Sequence, residues 1–253
     1  MRQFFAGESE SLVARIALLA VSVAAIAAGP ARAVEDTGTP GNGKWEVNFG
    51  ASGIRTSNRW EAAVPESEFN YGLGDTVQLQ LNVPFAVVHR DGEFSKSGLG
   101  AAIIGAKWRF VEQDAAGFSM STFPQYTWNL LPSSVRRGIV GPGRQVLLPI
   151  QFGIERNGSG VFAEAAHNFV EMGPDEWSLG MKVKHPCASH AVCHIAVERT
   201  FVPHEPQQTM VGLGVQLALN DTFSLKGASG RDFGKRTGDQ RRLILSVGLQ
   251  MAF

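Results

Sequence analysis

Leu243-Ile-Leu-Ser-Val-Gly-Leu-Gln-Met-Ala-Phe253 closes the chain, and its alternation decides the fold. Leu243, Leu245, Val247, Leu249, Met251 and Phe253 share one phase; Ile244, Ser246, Gly248, Gln250 and Ala252 share the other. A strand turns successive side chains to opposite faces, so a period of two gives this segment one large apolar face. The opposite face is mostly small or polar.

The same period recurs upstream. Val77, Leu79, Leu81, Val83, Phe85 and Val87 oppose Gln78, Gln80 and Asn82. Ala102, Ile104, Ala106, Trp108 and Phe110 oppose Lys107 and Arg109; Val146, Leu148, Ile150, Phe152 and Ile154 oppose Gln145, Gln151 and Glu155. Trp177, Leu179, Met181 and Val183 oppose Ser178, Lys182 and Lys184, and Val211 to Leu219 alternates about Gln216. Weaker cases begin near Trp45, Trp60, Phe118, Val161, His194 and Phe223. The reading is all-β, with about 12 strands of about 9 to 14 residues, the length and dyad pattern of a transmembrane barrel. Pro84, Pro124 and Pro149 each remove a ladder donor and are expected at bulges or strand ends.

A soluble sandwich also alternates, so connection lengths must arbitrate. Gly72 to Asp75, Glu112 to Gly117, Arg156 to Gly160 and Asn220-Asp221 are tight; Ser52 to Arg59, His89 to Ser97, Leu131 to Gly143 and Gly230 to Gln240 are longer and polar. Short periplasmic turns opposite longer extracellular loops are how bacterial barrels are built. Val170 to Asp175 is short for an outside loop, and Cys187 to Cys193 long for a periplasmic turn. In lipid every backbone polar group must be paired, so such a sheet has to close on itself as an antiparallel barrel.

Composition agrees. Among 253 residues, 23 Lys and Arg balance 23 Asp and Glu, which argues against nucleic acid as a partner. Only 18% of residues are charged, against about 25% in ordinary soluble proteins. Arg2 and Arg15 precede the uncharged run Ile16 to Ala28 and the small-x-small site Ala31-Arg32-Ala33. Residues 1–33 therefore read as a cleaved signal peptide, 34–43 as a flexible Gly- and Pro-rich lead, and 44–253 as the barrel. Localisation would be the outer membrane of a Gram-negative cell.

Export makes a disulfide the simplest reading of Cys187 and Cys193, the only two cysteines. A metal site using His185, His190 and His194, or two free thiols, are the alternatives; the spacing fits no standard zinc pattern. No metal or cofactor is expected. Gly38-x4-Gly43-Lys44 has phosphate-loop spacing, but Trp45 replaces the required hydroxyl residue.

The inward phase holds the candidate site. Gln78, Gln80, Asn82, Lys107, Arg109, Gln125, Gln151, Glu155, Glu164, Lys182, Lys184, Glu198 and Lys226 should line the lumen. Barrels of about eight strands fill with side chains and those of 16–18 leave a water channel. About 12 strands predicts a narrow or plugged interior. These charges either conduct small solutes or satisfy one another in a purely structural barrel.

Five stretches resemble known proteins. The alternating end Leu245, Val247, Leu249, Met251 and C-terminal Phe253 resembles the assembly signal of bacterial outer-membrane barrels, which implies the barrel-assembly machinery and outer-membrane lipids as partners. Phe69-Asn-Tyr-Gly-Leu-Gly-Asp75, Val77-Gln-Leu-Gln-Leu-Asn-Val-Pro-Phe85 and Ala106-Lys-Trp-Arg-Phe110 resemble the family called "MetA-pathway of phenol degradation". So does Gly212-Leu-Gly-Val-Gln-Leu-Ala-Leu-Asn-Asp-Thr-Phe-Ser-Leu225, and the similarity runs from about Lys44 to Phe253. It implies a non-enzymatic barrel assisting uptake of small, often aromatic or apolar solutes. The rival function is an outer-membrane lipid hydrolase, for which His167-Asn168 and Ser189-His190 are the starting points, though no nucleophile motif accompanies them.

Overall fold

The computed structural model describes residues 34–235 and 240–253; the expected signal peptide lies outside the described residues. Twelve barrel strands follow in chain order. They are β1 (Trp45–Arg55), β2 (Arg59–Leu73), β3 (Val77–Arg90), β4 (Lys96–Leu99 and Ala101–Val111) and β5 (Ser119–Thr122 and Gln125–Asn129). Next come β6 (Gln145–Arg156), β7 (Ser159–Val170), β8 (Glu176–Ala188), β9 (Ala191–Phe201), β10 (Gln208–Ala218), β11 (Phe223–Gly234) and β12 (Leu243–Ala252). Each pairs antiparallel with its neighbours in sequence, and β12 pairs with β1 to close the cylinder. At that seam Trp45 and Phe253 exchange both backbone hydrogen bonds, at 2.8 and 3.0 Å. Two short helices, α1 (Gln113–Ala116) and α2 (Pro132–Arg136), sit in connections at opposite ends.

The barrel is inside-out relative to a soluble protein. Leu213 is 58% exposed, Trp177 56% and Ile150 49%, whereas Lys107 is 2% and Gln151 1% exposed. A lysine is almost never buried without a partner, and large apolar side chains in a continuous exposed band need another apolar phase to cover them. That combination excludes the soluble sandwich. It also fixes the register, because a one-residue slip would exchange the two sets.

Prolines fall where the ladder is already interrupted. Phe123 and Pro124 separate the two halves of β5, and the facing strand places Pro149 in the same gap, between the pairs Thr122–Ile150 and Gln125–Leu147. Thr122 Oγ1 donates to the Pro149 carbonyl at 2.7 Å, so the gap is stitched by a side chain. Beside Pro84, β2 carries an irregularity between Ala63 and Glu66 that reverses its phase.

The connections at the two ends differ. Residues 157–158 join β6 to β7, with Asn157 at φ 51° and Gly158 at φ 75°. Both central positions need the left-handed region, which an Asn-Gly pair supplies for a tight hairpin. Residues 130–144 form the longest connection at the far end. Two sequence expectations are corrected. The β1–β2 connection is only residues 56–58, because both strands extend beyond Ser52 and towards Arg59. The Cys187–Cys193 segment is not a long turn: β8 and β9 run into it, His185 pairs with Cys193, and only Ser189 and His190 turn the chain. Cys187 and Cys193 are joined as a disulfide across this hairpin.

Candidate functional site

The inward faces of the strands enclose a polar lumen, and the lead occupies part of it. Expected as a flexible connector, the segment 34–43 instead turns up into the barrel. Asn42 N donates to Asp75 Oδ1 at 3.1 Å and Thr39 Oγ1 to the Asp75 carbonyl at 2.7 Å, which fix it at the end where β1 begins and β12 finishes. Thr37 Oγ1 lies 2.6 Å from Ser119 Oγ, deeper inside. Val34, only 1% exposed, packs against Gly180 of β8. Gly180 is needed there because a Cβ at that position would lie 2.4 Å from Val34 Cγ2.

Asp36 is the centre of the arrangement. Its carboxylate lies 3.3 Å from Lys184 Nζ and 3.8 Å from Lys182 Nζ, while Lys107 Nζ donates to its backbone carbonyl at 2.8 Å. Lys184 also reaches Glu155 at 2.9 Å, and Lys107 reaches Glu35 at 3.6 Å. The ammoniums rest on buried rings: Lys107 lies 4.9 Å from the centre of Phe123, and Lys182 and Lys184 lie 5.3 and 5.0 Å from that of Phe162. Such cation–π contacts add to the ion pairs and hold the three heads in place. Enclosure by the wall works against the charge of Asp36, yet Lys182, Lys184 and Lys107 outweigh it and hold the carboxyl well below the usual carboxylate range.

The other expected lumen residues form local networks along the same inward faces. Gln151 accepts from Ser121 Oγ at 2.7 Å and donates to Glu164 at 2.9 Å. Gln78 donates to Asn70 at 2.8 Å, Asn82 to Glu66 at 3.3 Å, and Lys226 lies 3.8 Å from Glu46. Arg109 donates to the Asp75 carbonyl at 2.8 Å, near the lead's entrance. Gln80, Gln125 and Glu198 line the wall of a cavity of about 560 Å³ on the loop side of the lead. A second cavity, of about 530 Å³, opens towards the end where β1 begins and β12 finishes and is lined by Asp36, Lys182, Lys184 and Lys226, with Glu155. Glu35, Glu66 and Glu68 border both.

Several site residues were not named from sequence. Glu66, Glu68 and Asn70 alternate with Ser67, Phe69 and Tyr71, so their phase was legible; the reversal near Pro65 concealed it. Asp36 carried no signal, since the lead has no period. The interior is not uniformly wet, because Ile54, Met210 and Ile244 pack together at the loop end.

The residues considered for hydrolysis do not assemble. His167 faces outward, its ring 4.2 Å from Phe169 and 4.4 Å from Trp177, with Asp175 at 3.8 Å. Its neighbour Asn168 points the other way, to Gln145 and Glu176. Consecutive strand residues occupy opposite faces and cannot share one site. Nor do the three histidines near the disulfide converge: His185 contacts Ser159 at 2.7 Å, whereas His194 lies against Gly214 on the inward phase. Among the described residues no group of His, Cys, Asp and Glu could hold a metal ion.

Comparison with solved structures finds the same architecture. An outer membrane channel from Pseudomonas putida F1 superposes with a TM-score of 0.66 at 13% identity, covering 89% of this chain and 100% of that one. The KdgM porin gives 0.58 at 8% identity (82% and 99% covered), and the NanC porin 0.56 at 7% (83% and 98%). At such identities the shared property is the fold, a closed 12-stranded barrel of the outer-membrane type. No family model matches the sequence, and no curated protein aligns with it.

Seating of the lead gives a direct prediction. Gly180→Leu fills the space of Val34 and expels the lead, so residues 34–43 become cleavable by added protease while the barrel stays folded. In the unaltered chain a depressed carboxyl keeps its contribution until pH falls through its lowered value. Protection of the lead should therefore persist from pH 7 to about 4, the ordinary carboxylate value.

Proposed function

We propose that this chain is an outer-membrane channel through which small molecules pass passively, with its N-terminal lead as the constriction. The observation that carries this reading is the pair of cavities, about 560 and 530 Å³, on either side of the lead. A purely structural barrel of this size could fill its core with side chains; here a separate segment narrows a space the wall leaves open. The barrels of like fold named above are a channel and porins.

Within this reading residues 1–33 are the export signal, the disulfide end faces the periplasm, and the alternating C-terminal strand ending in Phe253 is presented to the assembly machinery. The exposed apolar band meets outer-membrane lipid. The solutes are small, and the motifs resembling the phenol-degradation family favour aromatic or weakly polar ones. The protein supplies a route rather than a reaction.

Purified protein in planar lipid bilayers tests this. The expected result is small, stepwise, ohmic conductance together with slow flux of small neutral solutes in liposomes. Absence of both from a correctly folded barrel would leave a structural role.

A further inference from the structure

We infer that the lumen contains a carboxylate-binding site formed by Lys107, Lys182 and Lys184, that Asp36 is its built-in occupant, and that an organic monocarboxylate is the class of solute that takes its place. The site does not depend on passage through the barrel, since binding could occur in one that conducts nothing.

Three ammoniums converge on one short stretch of the lead. Their side chains are 3%, 12% and 20% exposed, so they are removed from bulk water to an extent lysines tolerate only when paired. Two point at a single carboxylate, and the third takes the carbonyl of the same residue. The heads are not free to swing away, because each rests on the face of Phe123 or Phe162. Three cations held in fixed positions before any ligand arrives are preorganised for an anion, and preorganisation is what turns contacts into affinity. The barrel wall itself supplies Glu155, to Lys184. Asp36 and Glu35 both come from the lead, so withdrawing the lead leaves most of the positive charge uncompensated. A buried cluster in that state takes up an anion or loses stability.

Access fixes the direction. The loop-side cavity is lined by seven carboxylate residues and one guanidinium, Arg241, already paired with Asp232. An anion is repelled there. The cavity on the Trp45 and Phe253 side carries Lys182, Lys184, Lys226 and His194 beside Glu35, Asp36, Glu66, Glu68 and Glu155, and two of these carboxylates, Glu35 and Asp36, leave with the lead, so the site opens on that side. An aromatic carboxylate satisfies both the ammoniums and the mixed polar and apolar wall, which includes Val192.

Asp36 is tethered, so it competes at an effective concentration of the order of millimolar or more, and a free carboxylate should bind the intact chain weakly. Calorimetric titration of the detergent-solubilised full chain with benzoate, with uncharged benzyl alcohol as control, tests this. Asp36→Asn should lower the benzoate Kd about ten-fold or more, by removing the tethered competitor. Gly180→Leu, which displaces the lead by another route, should do the same. Lys182→Gln with Lys184→Gln should abolish the gain in the Asp36→Asn background, and benzyl alcohol should discriminate none of these proteins. Heat-modifiable gel migration confirms that each barrel is folded. A folded Asp36→Asn or Gly180→Leu barrel that binds benzoate no better than the unaltered chain overturns the proposal, as does equal binding of benzyl alcohol. Lack of conductance alongside benzoate binding would instead count only against passage.

Discussion

Asp36→Lys should raise single-channel conductance several-fold over the unaltered chain. In that variant the lead brings a fourth ammonium towards Lys107, Lys182 and Lys184, where a carboxylate now lies 3.3 and 3.8 Å from two of them. Like charges in a poorly solvated space repel strongly, and reversal of a buried partner costs more than its simple removal. Lys107, through Glu35 and the backbone carbonyl of residue 36, and Thr37, Thr39 and Asn42 would still contact the lead, but against the repulsion of two ammoniums that have lost their carboxylate. The segment leaves, and the two cavities become one passage. Lys226→Asp is the control: its ammonium lines the same cavity but contacts Glu46 and Asn48 rather than the lead, so the change alters the charge of the lumen without releasing anything. Planar-bilayer recordings compare the three proteins. Equal conductance in the Asp36→Lys variant and the unaltered chain would mean that the lead is not the constriction.

The second large effect concerns the outer skin. Ile150→Arg on β6 and Leu213→Arg on β10 each place a guanidinium in mid-strand on the exposed apolar band. A charge near the bilayer midplane costs about 2–4 kcal/mol. The two strands are far apart, so the costs add to about 4–8 kcal/mol. That is comparable with the whole stability of many proteins, about 5–15 kcal/mol. The double variant should fail to refold into lipid vesicles, while each single variant refolds with a lowered urea midpoint. Gln80→Arg, one phase away on the wet face, should cost far less.

How much of this was readable in the sequence depends on the element. The Ala101–Val111 half of β4 and most of β3, β6, β8, β10 and β12 keep a period of two, because one face meets lipid and the other the lumen. Lys107, Arg109, Lys182 and Lys184 accordingly fall on the inward phase together with Gln78 and Gln151. β2 is harder, since one extra residue between Ala63 and Glu66 reverses its phase and hides Glu66 and Glu68 behind an apparent change of pattern. β5 was harder still: its halves, Ser119–Thr122 and Gln125–Asn129, are each too short to show a period. In the sequence the cysteine hairpin reads as a turn because its alternation stops at Pro186, although the pairing continues to Ala188.

The lead was not readable at all. Its place is set by single contacts between residues far apart in sequence, such as Asp36 with Lys182 and Lys184, and no local propensity encodes them. Gly- and Pro-rich composition predicts flexibility when nothing surrounds a segment; inside a charged cylinder, three ammoniums supply the ordering that the segment lacks. The candidate site was thus half legible. Its wall could be named from periodicity, whereas its occupant could be found only from the fold.

Thiol modification during recording tests most directly whether solutes use the enclosed path. The described residues contain no free cysteine, so a single new thiol can be placed on either face of β3. Gln80→Cys borders the loop-side cavity, and Leu79→Cys, its neighbour, is on the exposed band. A bulky, water-soluble thiol reagent should reduce the current through the first and leave the second unchanged. Unaltered current through a fully modified Gln80→Cys barrel, or block through Leu79→Cys, would contradict the account.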